Sequence, residues 1–460
     1  MSPDPGLWQR DRDAASDQGL DLVRSDGPRA EGPAVDGPLA DQAPPPPAGR
    51  LVYATSTDVR QRTWDPATNE WSAPATLTST TEVCWTQNRI LASGQEVVGL
   101  LSKSSAGMTL ELLDLGGSPP ATLWSALTLP TSQADKQSFD IQSEASGELL
   151  VAYAGGSTTP VYRTRTLTGS WSAPGPLPGP NNGTVLWVKL VPRAGTDTMT
   201  LLHVDDSHSL VAIDWDGAKW LPATATTLAT DLKTNPSTGL VNNRAFDGAY
   251  ESKAGDLLVA WGIDTGMGFD YSVRSSGGAW SAVQNIAIVT GYVEFIQLAP
   301  NPNSDQIAGV FLDLGNGTER LGLATWDGGQ WLDVGEYDSQ IHDVNDGAQG
   351  DLLGGVVWAG TSAVAIYPDD QQGTLDWASW NAGDGWVVQT PLAVAGKGYT
   401  ESVQLTSKPD GSGLLAVLSD DAGELFCFAH SSGAWAATNS GSLATVSVTN
   451  ARPFSFALSP

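Results

Sequence analysis

The chain has 460 residues with 51 glycines and 18 tryptophans, only 16% charged residues, and a formal net charge of −28. That length admits about three average domains or one large repeat fold, and the glycine and tryptophan usage argues for strands and tight turns rather than a helical bundle. A surface this acidic repels phosphate backbones and anionic lipid, which excludes nucleic acid and bare membrane as partners, and no apolar run reaches the ~18 to 20 residues of a spanning helix.

Residues 1–49 carry nine acids and four bases, leaving a net −23 on the remainder, and end in the run Pro44 to Pro47. With almost no aromatic or β-branched content, such a stretch cannot bury enough apolar area to offset its ordering entropy, so it is expected to be a disordered linker. Its Asp/Gly/Pro/Ala composition resembles the tethers of bacterial surface lipoproteins. That resemblance implies a secreted or surface-tethered protein, although the stretch contains neither an apolar signal core nor a cysteine, which leaves a cytoplasmic location as the alternative.

From residue 50 onward the sequence repeats. Aligned on the tryptophan after a Gly-rich turn, the copies fall at Trp71, Trp124, Trp171, Trp220, Trp280, Trp331, Trp386 and Trp435, a mean spacing of 52 residues. That period belongs to propeller blades. Upstream lie apolar runs opened by glycine, "GELLVAY" from Gly147, "GDLLVAW" from Gly255, "GDLLGGVVW" from Gly350 and "GLLAVL" from Gly413, which read as second strands buried on both faces. With strands lettered A to D from the axis outward, the chain enters at strand B from Arg50. Residues from Ala451 then supply the missing strand A and close the ring. The expected fold is an all-β propeller of eight four-stranded blades over residues 50–460, with seven blades as the alternative.

The turns "RSSGGAWSA" (Arg274 to Ala282), "TWDGGQW" (Thr325 to Trp331) and "DWDGAKW" (Asp214 to Trp220) resemble the Asp-box repeat of sialidase-like propellers and the tryptophan-rich repeats of bacterial propeller lectins. The sialidase resemblance implies an arginine triad, a tyrosine nucleophile and an acid/base carboxylate. The nearest match to the family's Arg-Ile-Pro signature is Arg89-Ile90-Leu91, without the proline. "TWDPATNEWSA" (Thr63 to Ala73) is similar to part of a kelch repeat, but only Gly155-Gly156 supplies the glycine doublet of such blades.

In a propeller the B–C and D–A loops share one face, and two sets of residues are expected there. Asp205, Asp206, Asp264, Asp313, Asp369, Asp370, Asp420 and Asp421 follow strand B, where they could bind calcium or serve only as turn residues. Trp85, Trp187, Tyr292 and Tyr399 stand near the start of strand A, where they could stack on sugar or pack between blades. In "HVDDSH" (His203 to His208) the spacing fits no metal loop. The long D–A connection from Ala229 to Gly248 is expected to overhang the same face. Cys84 and Cys427, 343 positions apart, are expected to stay unpaired.

These residues lead to a non-catalytic propeller binding a glycan or cell-surface ligand. With no arginine cluster assignable from spacing, neutral or amino-bearing sugars are expected rather than anionic ones. A sialidase-like glycoside hydrolase and a protein-interaction scaffold are the rivals.

Overall fold

Eight antiparallel sheets follow one another along the chain, each of four strands with short extra pairings at some outer edges. The computed structural model describes residues 49–459, apart from 80–81, 92, 105–106, 117–119, 130–135, 181, 234–242, 314–318, 343–352, 395–397, 409–410, 432, 440, 448–451 and 453, and apart from the side chains of 124–129. The linker expected before Arg50 therefore lies, except for Gly49, outside the described residues. Among the described residues no helix is long and apolar enough to cross a membrane.

The innermost strands are Phe454–Leu458, Val83–Ile90, Phe139–Ser143, Val185–Pro192, Phe246–Tyr250, Val293–Pro300, Gly355–Ala359 and Thr400–Ser407, for blades one to eight. Each touches the strand A of the next blade all the way round, so the sheets form a closed ring and the fold is an eight-bladed β-propeller. Closure comes from the chain's end. Phe454–Leu458 pairs antiparallel with Gly49–Ala54, with Leu51 opposite Phe456 and Tyr53 opposite Phe454. Leu51, Tyr53, Phe454 and Phe456 are all buried in one apolar cluster at this seam. Burying each aromatic is worth roughly 1.5–3 kcal/mol.

The quoted turns join strands C and D. Asp216 Oδ1 accepts the backbone N–H groups of Ala218 and Lys219 at 3.0 and 2.9 Å, while Gly217 sits at φ 96°, which only glycine adopts without strain. Asp327 and Gly328 repeat the arrangement. The indole after the turn opens strand D and packs on strand C, as Trp220 does on Trp215 with ring centroids 5.3 Å apart.

Two assignments move. Trp124 pairs with Leu112 three positions into strand D, and Ala121, opposite Asp114, holds the place that tryptophan fills in other blades. In the seventh blade the run from Gly350 leads into strand A, Gly355–Ala359, while strand B is Ser362–Pro368. The apolar pattern does not separate these two neighbours, because both strands of a blade's inner half are buried.

The structure also shows a longer period. Strand A of blades two, four, six and eight has eight residues and a β-bulge between Val83 and Trp85, Val185 and Trp187, Val293 and Phe295, or Thr400 and Ser402. Strand A of the blades between them has five residues and no bulge. Two joints are built alike. Asp140 of blade three accepts the Leu190 N–H of blade four at 2.7 Å, and Asp247 of blade five accepts the Leu298 N–H of blade six at 3.0 Å. Glu144 accepts the Trp215 indole N–H at 2.5 Å, and Glu251 that of Trp326 at 2.7 Å. The unit is a pair of blades.

Candidate functional site

On the B–C and D–A face the aspartate pairs divide their work. Asp205, Asp369 and Asp420 are buried, and each folds back on its own turn. Asp205 accepts the N–H groups of Ser207 and Ser209, both at 3.0 Å, and Asp420 those of Ala422 and Glu424 at 3.1 and 2.8 Å. Asp369 accepts that of Gln371 at 3.0 Å. The second members, Asp206, Asp370 and Asp421, are exposed, and Asp206 accepts the Thr184 N–H at 2.7 Å. Among the described residues no group of three metal-ligating side chains converges. His203 is buried in strand B, and burial pushes its pKa down to about 4, while His208 stands on the turn beyond.

The four aromatic residues also separate. Trp85 and Trp187 are 1% and 0% exposed and pack edge to face with centroids 6.1 Å apart, so neither presents a ring to a ligand in solution. Each is the residue just after the bulge, and the extra residue turns it into the core. Tyr292 and Tyr399 precede the bulge and are half-buried on the loop face.

Around these two tyrosines the structure builds the same arrangement twice. Gly291-Tyr292-Val293-Glu294 and Gly398-Tyr399-Thr400-Glu401 enter strand A of blades six and eight, and the bulged residue is the glutamate in both. A Cβ on the glycine ahead of the tyrosine would meet the Asp313 carboxylate in one copy and that of Asp421 in the other. A base from the D–A connection one blade earlier completes each cluster. Lys233 Nζ lies 4.7 Å from the Tyr292 ring centroid and 3.5 Å from both Glu294 Oε1 and Asp264 Oδ1. In the second copy the His342 ring stacks flat on Tyr399, centroids 4.0 Å apart and planes 5° apart, with Nε2 3.4 Å from Glu401 Oε1.

The copies differ in access. The side chains of Lys233 and Glu294 are 6% and 7% exposed, whereas those of His342 and Glu401 are 18% and 23% exposed. Burial raises the Glu294 carboxyl above the usual range even with Lys233 beside it. Each cluster offers a carboxylate acceptor, a nitrogen base and an aromatic ring within a few ångströms. That set can hydrogen-bond hydroxyl groups and pack against a pyranose face. Part of the connection from Ala229 to Gly248 lies outside the described residues. Cys84 and Cys427 are buried and form no disulfide, and burial pushes the Cys427 thiol up to about 12.

No known protein-family profile matches the sequence, and no curated protein matches it either. Solved structures do. The BP39L lectin from Burkholderia pseudomallei is similar over 79% of this chain and 98% of its own, at 12% identity and a TM-score of 0.51. The SapL1 lectin is similar over 67% of this chain and 96% of its own, at 15% identity and a TM-score of 0.37. The periplasmic gluconolactonase of Pseudomonas aeruginosa is similar over 90% of this chain and 99% of its own, at 10% identity and a TM-score of 0.45. These likenesses concern the fold.

Proposed function

We propose that the chain is a non-catalytic binding propeller that takes a neutral or amino-bearing glycan on its B–C and D–A face, in a secreted or surface-tethered setting. The observation that carries this reading is the half-open cluster of Tyr399, His342 and Glu401, an aromatic and polar set on the loop-bearing face. A propeller fold by itself selects no ligand, so the ligand argument rests on the site itself. Stacking on one ring contributes about 1 kcal/mol, so useful affinity would come from multivalent display. The test is a glycan array with calcium and with EDTA, run on the wild type and on Tyr399→Ala. Binding of a neutral or amino sugar that Tyr399→Ala weakens supports the reading; an array without any bound glycan overturns it and favours a protein-binding scaffold. Loss of binding in EDTA would add calcium to the site.

A further inference from the structure

Arg89, Lys189, Arg244 and Arg452 come from widely separated parts of the chain, yet all four line one cavity of about 330 Å³ on the ring axis, enclosed by innermost strands. Among the described residues of its wall the only carboxylate is Asp140, 3.6 Å from Arg89. Just behind the wall, Asp247 pairs with Lys189 and, at 2.9 Å, with Arg244. Four cationic side chains thus converge on one cavity, in a molecule whose formal net charge is −28. Concentrating cations where the rest of the protein is acidic raises the local potential for an anion and does nothing for solubility.

The polar groups of the wall are also incompletely used. Arg244 is 3% exposed and its Nε has no hydrogen-bond partner. Burial and the neighbouring Arg244 hold the Lys189 ammonium below its usual pKa, against the opposing pull of Asp247 and Asp140. Gln142 and Gln297 add side-chain amides to the wall, while that of Gln404 is paired with the Phe456 backbone. The volume is at the lower end of small-molecule sites, roughly 300–1,000 Å³.

We propose that this axial cavity is a binding site for a small anion carrying more than one carboxylate or phosphate group, held by the guanidinium groups and Lys189. Guanidinium forks bind such oxygens in bidentate fashion, and the glutamine amides would orient the remainder. The site lies on the axis and is separate from the tyrosine clusters, so it goes beyond the glycan reading. It also revises the expectation drawn from spacing alone, because the ring assembles an arginine cluster from positions 89, 244 and 452.

The experiment is calorimetric titration of the full chain with citrate and with pyrophosphate, using chloride at matched ionic strength as the control. The variants are Lys189→Gln, which removes a cation, and Gln297→Glu, which adds a carboxylate to the wall without breaking an ion pair. The expected result is saturable binding to the wild type, weakened at least about tenfold by Gln297→Glu, whose unliganded melting temperature stays near that of the wild type. Tighter citrate than pyrophosphate marks a carboxylate ligand, and the reverse marks a phosphate. No binding beyond the chloride control, or equal binding by Gln297→Glu, overturns the proposal. Array binding of glycans should be untouched by Gln297→Glu, so the two sites stand or fall separately.

Discussion

The pair of blades five and six and the pair of blades seven and eight share one frame and finish it differently. In the first pair, Asp247 and Glu251 tie strand A of one blade to the backbone and the indole of the next, and the tyrosine cluster is closed over by Lys233. In the second pair Val356 and Gly360 stand at the matching positions, so neither staple has its carboxylate, and the cluster around Tyr399 is three times as open. The difference teaches that polar staples and a closed cluster go together here. The pair that lacks the staples is the one whose site a ligand can reach.

The severest way to break the comparison is to remove what both pairs depend on. Deleting residues 454–460 strips Phe454 and Phe456 from the seam and leaves the edge of Gly49–Ala54 unpaired. The melting temperature should fall by at least about 10 °C, read by circular dichroism. A truncated chain that melts like the intact one would mean the ring does not depend on this strand.

Next in size is Asp247→Ala. Burial alone would raise the Asp247 pKa, but Lys189 and Arg244 outweigh it and hold the carboxyl below its usual range. Removing it strands two cations, so the expected loss is about 3–5 kcal/mol by denaturant unfolding, against less than about 1 kcal/mol for Val356→Ala's matching joint beyond its lost methyl groups. Equal losses at the two joints would dissolve the distinction between them.

A smaller effect concerns pH. Burial pushes the Glu251 carboxyl up to about 7, and burial with Asp369 and Asp338 pushes Asp376 up to about 7 as well. Above that pH both groups are ionised in the folded and unfolded chain, and the folded state bears the full cost of burying the charge. Between the ordinary carboxylate range and pH 7 the folded state keeps protons that the unfolded state loses, so stability falls as pH rises through this window. The melting temperature should be a few degrees higher at pH 5.5 than at pH 7.5, and Glu251→Gln and Asp376→Asn should each flatten that slope. A slope unchanged in both variants would assign it to other groups.

Much of this architecture is legible in the chain. The tryptophan spacing gives the blade period, and the orphan strand after Ala451 shows how the ring closes. The two-blade period is legible as well, once "FDIQSEASGELLVAY" from Phe139 is set beside "FDGAYESKAGDLLVAW" from Phe246, and the "GYVE" and "GYTE" copies at Gly291 and Gly398 are visible by eye. A bulge is not legible, because one extra residue reverses which side chains face the core, and this turned Trp85 and Trp187 inward. Lys233 and His342 carry no sequence signal because D–A connections vary in length and bring their bases from a neighbouring blade. The axial arginines are invisible for the same reason, since only ring closure makes neighbours of positions 89 and 452.

The central claim is that the open cluster at blade eight is the ligand site and the closed one at blade six is its structural counterpart. It is tested most directly by titrating the best glycan from the array into Tyr399→Ala, Glu401→Gln, Tyr292→Ala and Glu294→Gln, with circular dichroism to confirm folding. The account predicts that the two substitutions at blade eight each weaken binding by about tenfold or more, the worth of one ring or one charged hydrogen bond, while those at blade six leave it within about twofold. Equal weakening at both clusters, or none at Tyr399 and Glu401, would contradict it.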